Sequence, residues 1–226
     1  AVSHELRTPV ARLRFGLEML ADIESAERRR EKLNAMDHDI EQLDQLIDEI
    51  LTYARLEQGT PNIEFQPVVI GELCEQLRDE LETIRDETAI TVANPYPTLE
   101  VEAEERYLHR VLQNLVTNAL RYAQSRIVMR VEESEDQVVI HVDDDGPGIP
   151  EHERERVFKP FARLDKSRHR ASGGYGLGLS IVKRIVDMHH GDIQLANHPH
   201  GGLLVEVRFP VTGKFVQPEP LSAGVR

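Results

Sequence analysis

The sequence predicts an α+β protein in which a helical hairpin is followed by a region of alternating strands and helices. Three observations support this prediction. Apolar residues over positions 1–58 have a heptad-like spacing, the pattern changes to short mixed segments at residue 62, and 40% of the 226 residues are hydrophobic. We therefore expect a helical domain at 1–58, an α+β domain at 62–212 and a flexible tail at 213–226.

The helical domain is predicted to contain two long helices. Apolar residues recur in alternating steps of four and three, which predicts a first helix over residues 2–24. After a polar break at 22–28, the pattern resumes and predicts a second helix that ends near Leu56, before Gly59 and Pro61. A single hairpin would leave both apolar seams in water, so we expect two copies to pair as a four-helix bundle. A helical cap packed on the rest of the chain is the alternative.

The second domain is predicted to form a mixed sheet with helices on one face. Strands are predicted at 63–65, 90–93, 99–102, 126–132, 137–143, 192–197 and 203–209. Helices are predicted at 70–85, 104–122 and 177–190. The last four strands are expected to pair as two hairpins.

Composition excludes several classes of function. A net charge of −13 argues against a nucleic-acid surface, and the basic run at 28–30 is followed at once by Glu31, as on a solvated helix face. The single Cys74 excludes an internal disulfide and a multi-cysteine metal site. No run approaches the roughly eighteen apolar residues of a membrane span. The chain begins in helical phase without Met, which suggests a piece of a longer protein, in which an upstream membrane segment is one possibility.

His4 begins the first candidate site, His-Glu-Leu-Arg-Thr-Pro. A zinc-protease motif would need a second His four residues on, but this position is Thr8. What remains is a possible nucleophile, His4, with Glu5 beside it to accept an imidazole proton and a hydroxyl on the same helical face. A solvated histidine with ordinary charged neighbours is equally compatible with these six residues.

Three later segments could bind a nucleotide. Asn114 and Asn118 share one helix face, where their amide oxygens can contact a cation and phosphate oxygens. Asp144, within three contiguous acids, is best placed to accept from an exocyclic amine such as that of adenine. The glycine-rich segment 173–178 precedes a helix, where backbone amides suit phosphate, although the Walker and Rossmann patterns are absent. Each segment alone is also compatible with ordinary surface.

A fourth segment, Phe-Lys-Pro-Phe at 158–161, precedes a basic stretch that could close over an anion as a lid or be a plain loop.

The sequence resembles that of sensor histidine kinases, whose H, N, G1, F and G2 boxes occur in the same order. The matching motifs are His-Glu-Leu-Arg-Thr-Pro, Asn-x-x-x-Asn-Ala, Asp-x-Gly-x-Gly, Phe-x-Pro-Phe and Gly-x-Gly-x-Gly. The resemblance covers residues 4–209 and is closest to the EnvZ-like and RstB-like branch. It implies a dimerisation and phosphoacceptor hairpin followed by a Bergerat-type, α/β-sandwich ATP-binding domain.

The resemblance also implies roles for single residues. His4 resembles the phosphoacceptor, Glu5 the base that primes it, and Thr8 completes the family's ExxT pattern for removing phosphate from a partner. Asn118 resembles the Mg²⁺ ligand and Asp144 the residue that recognises adenine. The other nucleotide contacts implied are Asn114, Arg121, Tyr122, Gly146, Gly148, Lys159, Gly174, Gly176, Leu177 and Gly178. Many relatives carry Lys in place of Arg121, and a planar guanidinium puts the phosphate geometry there in doubt.

The implied function is autophosphorylation of a homodimer on His4 with ATP and Mg²⁺, then transfer to an Asp of a response regulator of the OmpR type. The chain would be the cytoplasmic part of a protein of the bacterial inner membrane, with no nucleic-acid partner. Two rival functions remain. One is an ATPase of the gyrase, Hsp90 and MutL kind, which has no phosphoacceptor hairpin, and the other is a non-catalytic scaffold with vestigial boxes.

Overall fold

A computed structural model describes most of the chain in two compact units. The described residues are 2–21, 23, 25–58, 64–81, 88–164, 174–199 and 201–211. The first unit contains residues 1–62 and 150–184, and the second contains 63–149 and 185–226. The predicted succession of a helical hairpin and then strands alternating with helices is confirmed. No helix in the described part is long and apolar enough to cross a membrane.

The hairpin consists of α1 (Val2–Ala21) and α2 (Ala26–Glu57). α2 begins inside the segment that was predicted to be a polar break. The reason is the N-cap Ser25, whose hydroxyl accepts a hydrogen bond from the backbone N–H of Arg28 at 3.4 Å. The basic run that follows the cap is exposed, as expected of a solvated face. The predicted stop residues after α2 lie outside the described residues.

Polar and apolar contacts hold α1 against α2. The Arg12 guanidinium lies 2.7 Å from Asp39 Oδ1 and donates to Gln42 Oε1 at 3.0 Å. A Cβ on Gly16 would lie 2.8 Å from Met36 Sδ, so the helices approach closely at this position. Eight large apolar side chains of the described hairpin are nevertheless at least 40% exposed: Val10, Phe15, Leu17, Met19, Leu33, Ile40, Ile47 and Leu51.

The described residues of the second unit form seven strands. In chain order they are β1 (Gln66–Val69), β2 (Ala89–Ala93), β3 (Glu100–Ala103), β4 (Arg126–Ser134), β5 (Gln137–Asp144), β6 (Asp192–Asn197) and β7 (Leu203–Pro210). β1 and β3 pair antiparallel, and the other five form a sheet in the order β2-β4-β5-β7-β6. Among the strand pairs of the described residues, β2 and β4 are the one parallel pair. The mixed sheet and the hairpins β4–β5 and β6–β7 are therefore confirmed.

One strand prediction is wrong. The strand expected at 63–65 lies at Gln66–Val69, where Val68 pairs with Val101 of β3. Pro67 is compatible with this position because β1 pairs with β3 alone among the described strands.

In the described residues three α-helices follow the hairpin: α3 (Ile70–Leu81), α4 (Glu105–Tyr122) and α5 (Gly178–Met188). Two short 3-10 helices, Glu151–Glu153 and Arg156–Phe158, lie between α4 and α5. α3 contacts β2, and α4 contacts β4 and β5. α4 has a fully apolar inner face, with Leu108, Val111, Leu112, Leu115, Val116, Ala119 and Leu120 all buried. The Cys74 side chain of α3 is fully buried, and this burial raises the pKa of its thiol to about 12.

His189, just after α5, is a buried imidazole with both ring nitrogens in use. The backbone N–H of Glu104 donates to its Nε2 at 3.2 Å, so the proton is on Nδ1, which donates to Ile185 O at 2.8 Å. The rings of Phe65 and Phe209 approach it edge-on, at centroid distances of 5.2 and 6.1 Å. Burial lowers the pKa of His189, because the imidazolium cation would lose its hydration, and this effect outweighs the hydrogen bond to Ile185 O.

We expect His189 to make the folded state sensitive to acid. In the unfolded chain histidine has a pKa near 6.5, whereas the folded chain keeps His189 neutral to lower pH. The free energy of unfolding therefore has its full value above pH 6.5 and decreases as the pH falls below it. The loss can reach about 1.4 kcal/mol per pH unit, the limit for one proton. Urea unfolding at several pH values should give a flatter pH dependence for His189→Gln. The exposed His152 is the control, and an unchanged slope in His189→Gln would contradict the assignment.

Candidate nucleotide-binding site

The Asp144 carboxylate is buried at the end of β5. Its Oδ1 accepts hydrogen bonds from the backbone N–H of Gly146 at 2.8 Å and of Leu203 at 3.3 Å. Burial raises the pKa of Asp144, and the nearby Asp145 and Asp143 add to this effect, whereas the two hydrogen bonds oppose it. Both bonds from the described residues reach Oδ1, so Oδ2 can accept from a donor outside the chain.

The two neighbouring acids point to other partners. Asp143 Oδ2 lies 2.8 Å from the Arg130 guanidinium, and its Oδ1 lies 2.6 Å from His198 Nε2. Asp145 binds the segment between α4 and β4, where it accepts from Ser125 Oγ at 2.6 Å. The described residues contain no cluster of three metal-ligating acids or histidines. Asp145 is not among the site residues predicted from the sequence.

Glycines shape the backbone around Asp144. A Cβ on Gly146 would lie 2.7 Å from Tyr122 O, so the loop after β5 lies directly against the end of α4. Gly148 and Gly202 both have positive φ, +72° and +105°, where a side chain would be strained. A Cβ on Gly202 would also collide with Asp144 O.

Asn197 binds the far end of the loop that follows β5. It is a site residue that was not predicted from the sequence. Its Oδ1 accepts from the backbone N–H of Ile149 and its Nδ2 donates to Ile149 O, both at 2.9 Å. A Cβ on Gly148 would lie 2.7 Å from Asn197 Oδ1. No residue-type pattern links these positions, because the amide binds a backbone 48 residues away.

The predicted N-box residues lie along α4. Asn114 and Asn118 are half-buried, one turn apart, and Arg121 and Tyr122 follow in the last turn. The Asn114 Nδ2 atom is buried and has no hydrogen-bond partner among the described residues. A buried donor without an acceptor costs about 1–3 kcal/mol, so this position suits an incoming anionic oxygen. Amide oxygens such as that of Asn118 also suit Mg²⁺.

The F-box and G2-box residues belong to the first unit, where they contact one another. The backbone N–H of Phe161 donates to Gly176 O at 2.8 Å, and both residues have positive φ, +63° and +75°. A Cβ on Gly176 would lie 2.6 Å from Ala162 O. Lys159 is exposed, whereas Leu177 is fully buried.

The remaining G2 residues, Gly174 and Gly178, are half-buried, and Gly178 begins α5. In the same unit Tyr175 Oη donates to Gln42 O of α2 at 2.9 Å. The basic residues predicted to form a lid after Arg163 lie outside the described residues.

The predicted catalytic residues lie on α1. His4 belongs to the helix, but its side chain is outside the described residues. Glu5 is half-buried and Thr8 is exposed. α1 continues through the buried Pro9 to Ala21. The helix therefore sets His4 and Thr8 one turn apart on the same face.

Comparison with known families gives two matches. Residues 1–59 match the family described as His Kinase A (phospho-acceptor) domain. Residues 103–213 match the family described as Histidine kinase-, DNA gyrase B-, and HSP90-like ATPase.

Curated relatives match nearly the whole chain. Sensor protein RstB of Escherichia coli (strain K12) is 38% identical over 214 residues, which cover 93% of this chain and 47% of RstB. Sensor histidine kinase GtrS of Pseudomonas aeruginosa is 36% identical over 214 residues, which cover 94% of this chain and 41% of GtrS. The chain thus spans about half the length of the curated relatives it matches.

Solved structures support the same assignment. Histidine kinase ThkA, in complex with response regulator protein TrrA, is 27% identical with a TM-score of 0.76, over 93% of this chain and 60% of that chain. Full-length ShkA, in complex with AMPPNP, is 26% identical with a TM-score of 0.69, over 92% and 44% of the two chains. Together with the phosphoacceptor and ATPase matches, these similarities show that the chain belongs to the sensor histidine kinase family.

Proposed function

We propose that this chain uses ATP to phosphorylate itself on His4 and then passes the phosphoryl group to an Asp of a response regulator. The observation that carries the proposal is the buried Asp144 carboxylate, held by backbone amides at the end of β5 with one oxygen available. It lies in the segment that matches the ATPase family, and the same chain carries a phosphoacceptor domain. An ATPase of the gyrase type has no such domain.

In this proposal Asp144 accepts the exocyclic amine of adenine, and Gly146 leaves the space for the base. The orphaned Asn114 amide donates to a phosphate oxygen, with Arg121 and Tyr122 as further contacts at the end of α4. Asn118 would hold Mg²⁺, which supplies charge neutralisation for the phosphates when bound.

The phosphoryl transfer itself needs few residues of the chain. One imidazole nitrogen of His4 attacks the γ-phosphorus in line, forming an N–P bond while the bond to the ADP oxygen breaks and its electron pair leaves with ADP. Glu5, next to His4 on α1, accepts the proton from the other imidazole nitrogen. The roles of Lys159 and of the glycines before α5 in closing over the nucleotide stay predictions.

We further propose that the hairpin forms a homodimer. Exposed apolar side chains such as Val10, Leu17, Ile40 and Ile47 belong to the heptad-like pattern and remain exposed in a single copy. Pairing of two hairpins would remove this surface from water. The resulting four-helix bundle would present His4 on its outside, where we expect an OmpR-type response regulator to dock.

Thr8 is proposed to act in the reverse direction, by orienting water for dephosphorylation of the regulator. Its support is the exposed position on α1 one turn from His4. In Thr8→Ala we expect dephosphorylation of a phosphorylated regulator to slow by about tenfold or more, with autophosphorylation within about twofold of the wild type. Thr52→Ala on α2 is the matched control. Normal dephosphorylation by Thr8→Ala would exclude the role.

The proposed function is tested by incubating the protein with γ-labelled ATP and Mg²⁺. A phosphohistidine is expected to give protein-bound label that is labile in acid and stable in alkali. Turnover of ATP without bound label would instead indicate an ATPase of the gyrase kind. A protein that neither binds nor turns over ATP would fit the scaffold alternative.

A further inference from the structure

Among the three contiguous acids Asp143, Asp144 and Asp145, Asp145 accepts the most hydrogen bonds. Its Oδ1 accepts from three consecutive backbone N–H groups, those of Gln124 at 2.8 Å, Ser125 at 3.1 Å and Arg126 at 3.3 Å. Its Oδ2 accepts from Ser125 Oγ at 2.6 Å. The side chain of Gln124 adds a further hydrogen bond, in which its Nε2 donates to the backbone carbonyl oxygen of Asp145 at 3.0 Å. One residue thus binds Gln124 and Ser125 of the connection between α4 and β4 and Arg126, the first residue of β4.

This connection joins two parts of the proposed nucleotide site. The residue before Asp145 is Asp144, which is proposed to recognise adenine, and the connection follows α4, which carries Asn114 and Asn118. The two segments are about twenty residues apart in sequence. They also touch at Gly146, where a Cβ would lie 2.7 Å from Tyr122 O.

We propose that Asp145 is a positioning residue that sets the adenine-recognising Asp144 at a fixed place relative to the phosphate-facing side chains of α4. The inference rests on the proposed ATP-dependent function. ATP contacts both ends of its site at once, so a shift between the two ends weakens binding even when each end is intact.

The ionised form of Asp145 is the one that this arrangement requires. Every partner of its two carboxylate oxygens named above is a donor, and a carboxylate accepts without offering a donor of its own. Partial burial of Asp145 acts in the opposite direction, but the hydrogen bonds from Ser125, Arg126 and Gln124 outweigh it and hold its pKa well below the usual range. Asparagine has the same shape, but its NH₂ group would face the donors of Ser125.

Asp145→Asn is therefore the direct test, with the dissociation constant of Mg-ATP as the measurement. We expect affinity to fall about tenfold. Asp143→Asn makes the same chemical change two residues earlier, where the carboxylate pairs with Arg130 and His198, and should leave ATP affinity within about twofold. Equal ATP affinity in Asp145→Asn and the wild type would overturn the inference.

A purely structural role is distinguished by a double-mutant cycle with Asp144→Asn. If Asp145 acts by placing Asp144, then Asp145→Asn should weaken ATP binding by less than about twofold further when Asp144 is already Asn. A full additive loss would show that Asp145 stabilises the fold without positioning Asp144. If Asp145→Asn does not fold, Ser125→Ala replaces it in the test. This variant removes only the hydrogen bond from Ser125 Oγ and should give a smaller loss of ATP affinity. A wild-type protein that binds no ATP would refute the proposed function itself.

Discussion

Replacement of His4 by alanine should lower labelling of the chain from γ-labelled ATP by at least about 1000-fold, the scale on which loss of a nucleophile acts. The reason is that His4 carries the only imidazole of the H box, the group proposed to form the acid-labile N–P bond. Thr8, one turn away, would give an acid-stable ester. The measurement is protein-bound label after acid and after alkali treatment, at saturating Mg-ATP.

His38→Ala is the matched control, because His38 also lies on the hairpin, is exposed, and contacts Gln42 Nε2 at 2.9 Å. This variant should label normally. Both variants should bind ATP like the wild type and sediment at twice the mass of one chain. Acid-labile label in His4→Ala would show that another histidine is the acceptor, and loss of label in both variants would point to damage of the hairpin.

Replacement of Asp144 by asparagine should weaken ATP binding by about 100-fold. The variant loses a charged acceptor and can turn an NH₂ group toward the exocyclic amine of adenine, and an unpaired buried donor costs about 1–3 kcal/mol. Oδ1 would still accept from Gly146 and Leu203, so the fold should be retained. Titration with Mg-ATP measures the loss.

Guanine provides the internal control for this variant, because it carries a carbonyl in the place of the adenine amine. The wild type should prefer ATP over GTP, and Asp144→Asn should lose most of that preference. Asp143→Asn should keep it. If Asp144→Asn preferred ATP over GTP as strongly as the wild type does, Asp144 would be excluded as the residue that recognises adenine.

The long periodic elements were predicted well from the sequence, for a physical reason. α4 and β5 each bury a large apolar surface, so their spacing carries the signal directly. β1 was misplaced because it is four residues long and depends on pairing with β3, more than thirty residues later. The start of α2 was missed because it depends on one cap bond from Ser25.

The residues of the candidate site likewise fall into those that the sequence predicts and those that it does not. Asp144 was predicted because a polar residue at the end of an apolar strand, followed by glycines, stands out in the sequence. Asp145 and Asn197 did not stand out, because all of their partners except the Ser125 hydroxyl are backbone groups, which have no residue-type signature. Close approaches such as that of Gly202 to Asp144 O likewise depend on tertiary structure alone.

Cys74 makes this protein a convenient host for introduced probes. It is the only cysteine of the chain, and its thiol is fully buried with a pKa of about 12, so it reacts slowly at neutral pH. A cysteine introduced at Glu18, an exposed polar residue on α1, could therefore carry a spin label while the native thiol stays in place. In a homodimer the two labels would report the distance between the hairpins directly.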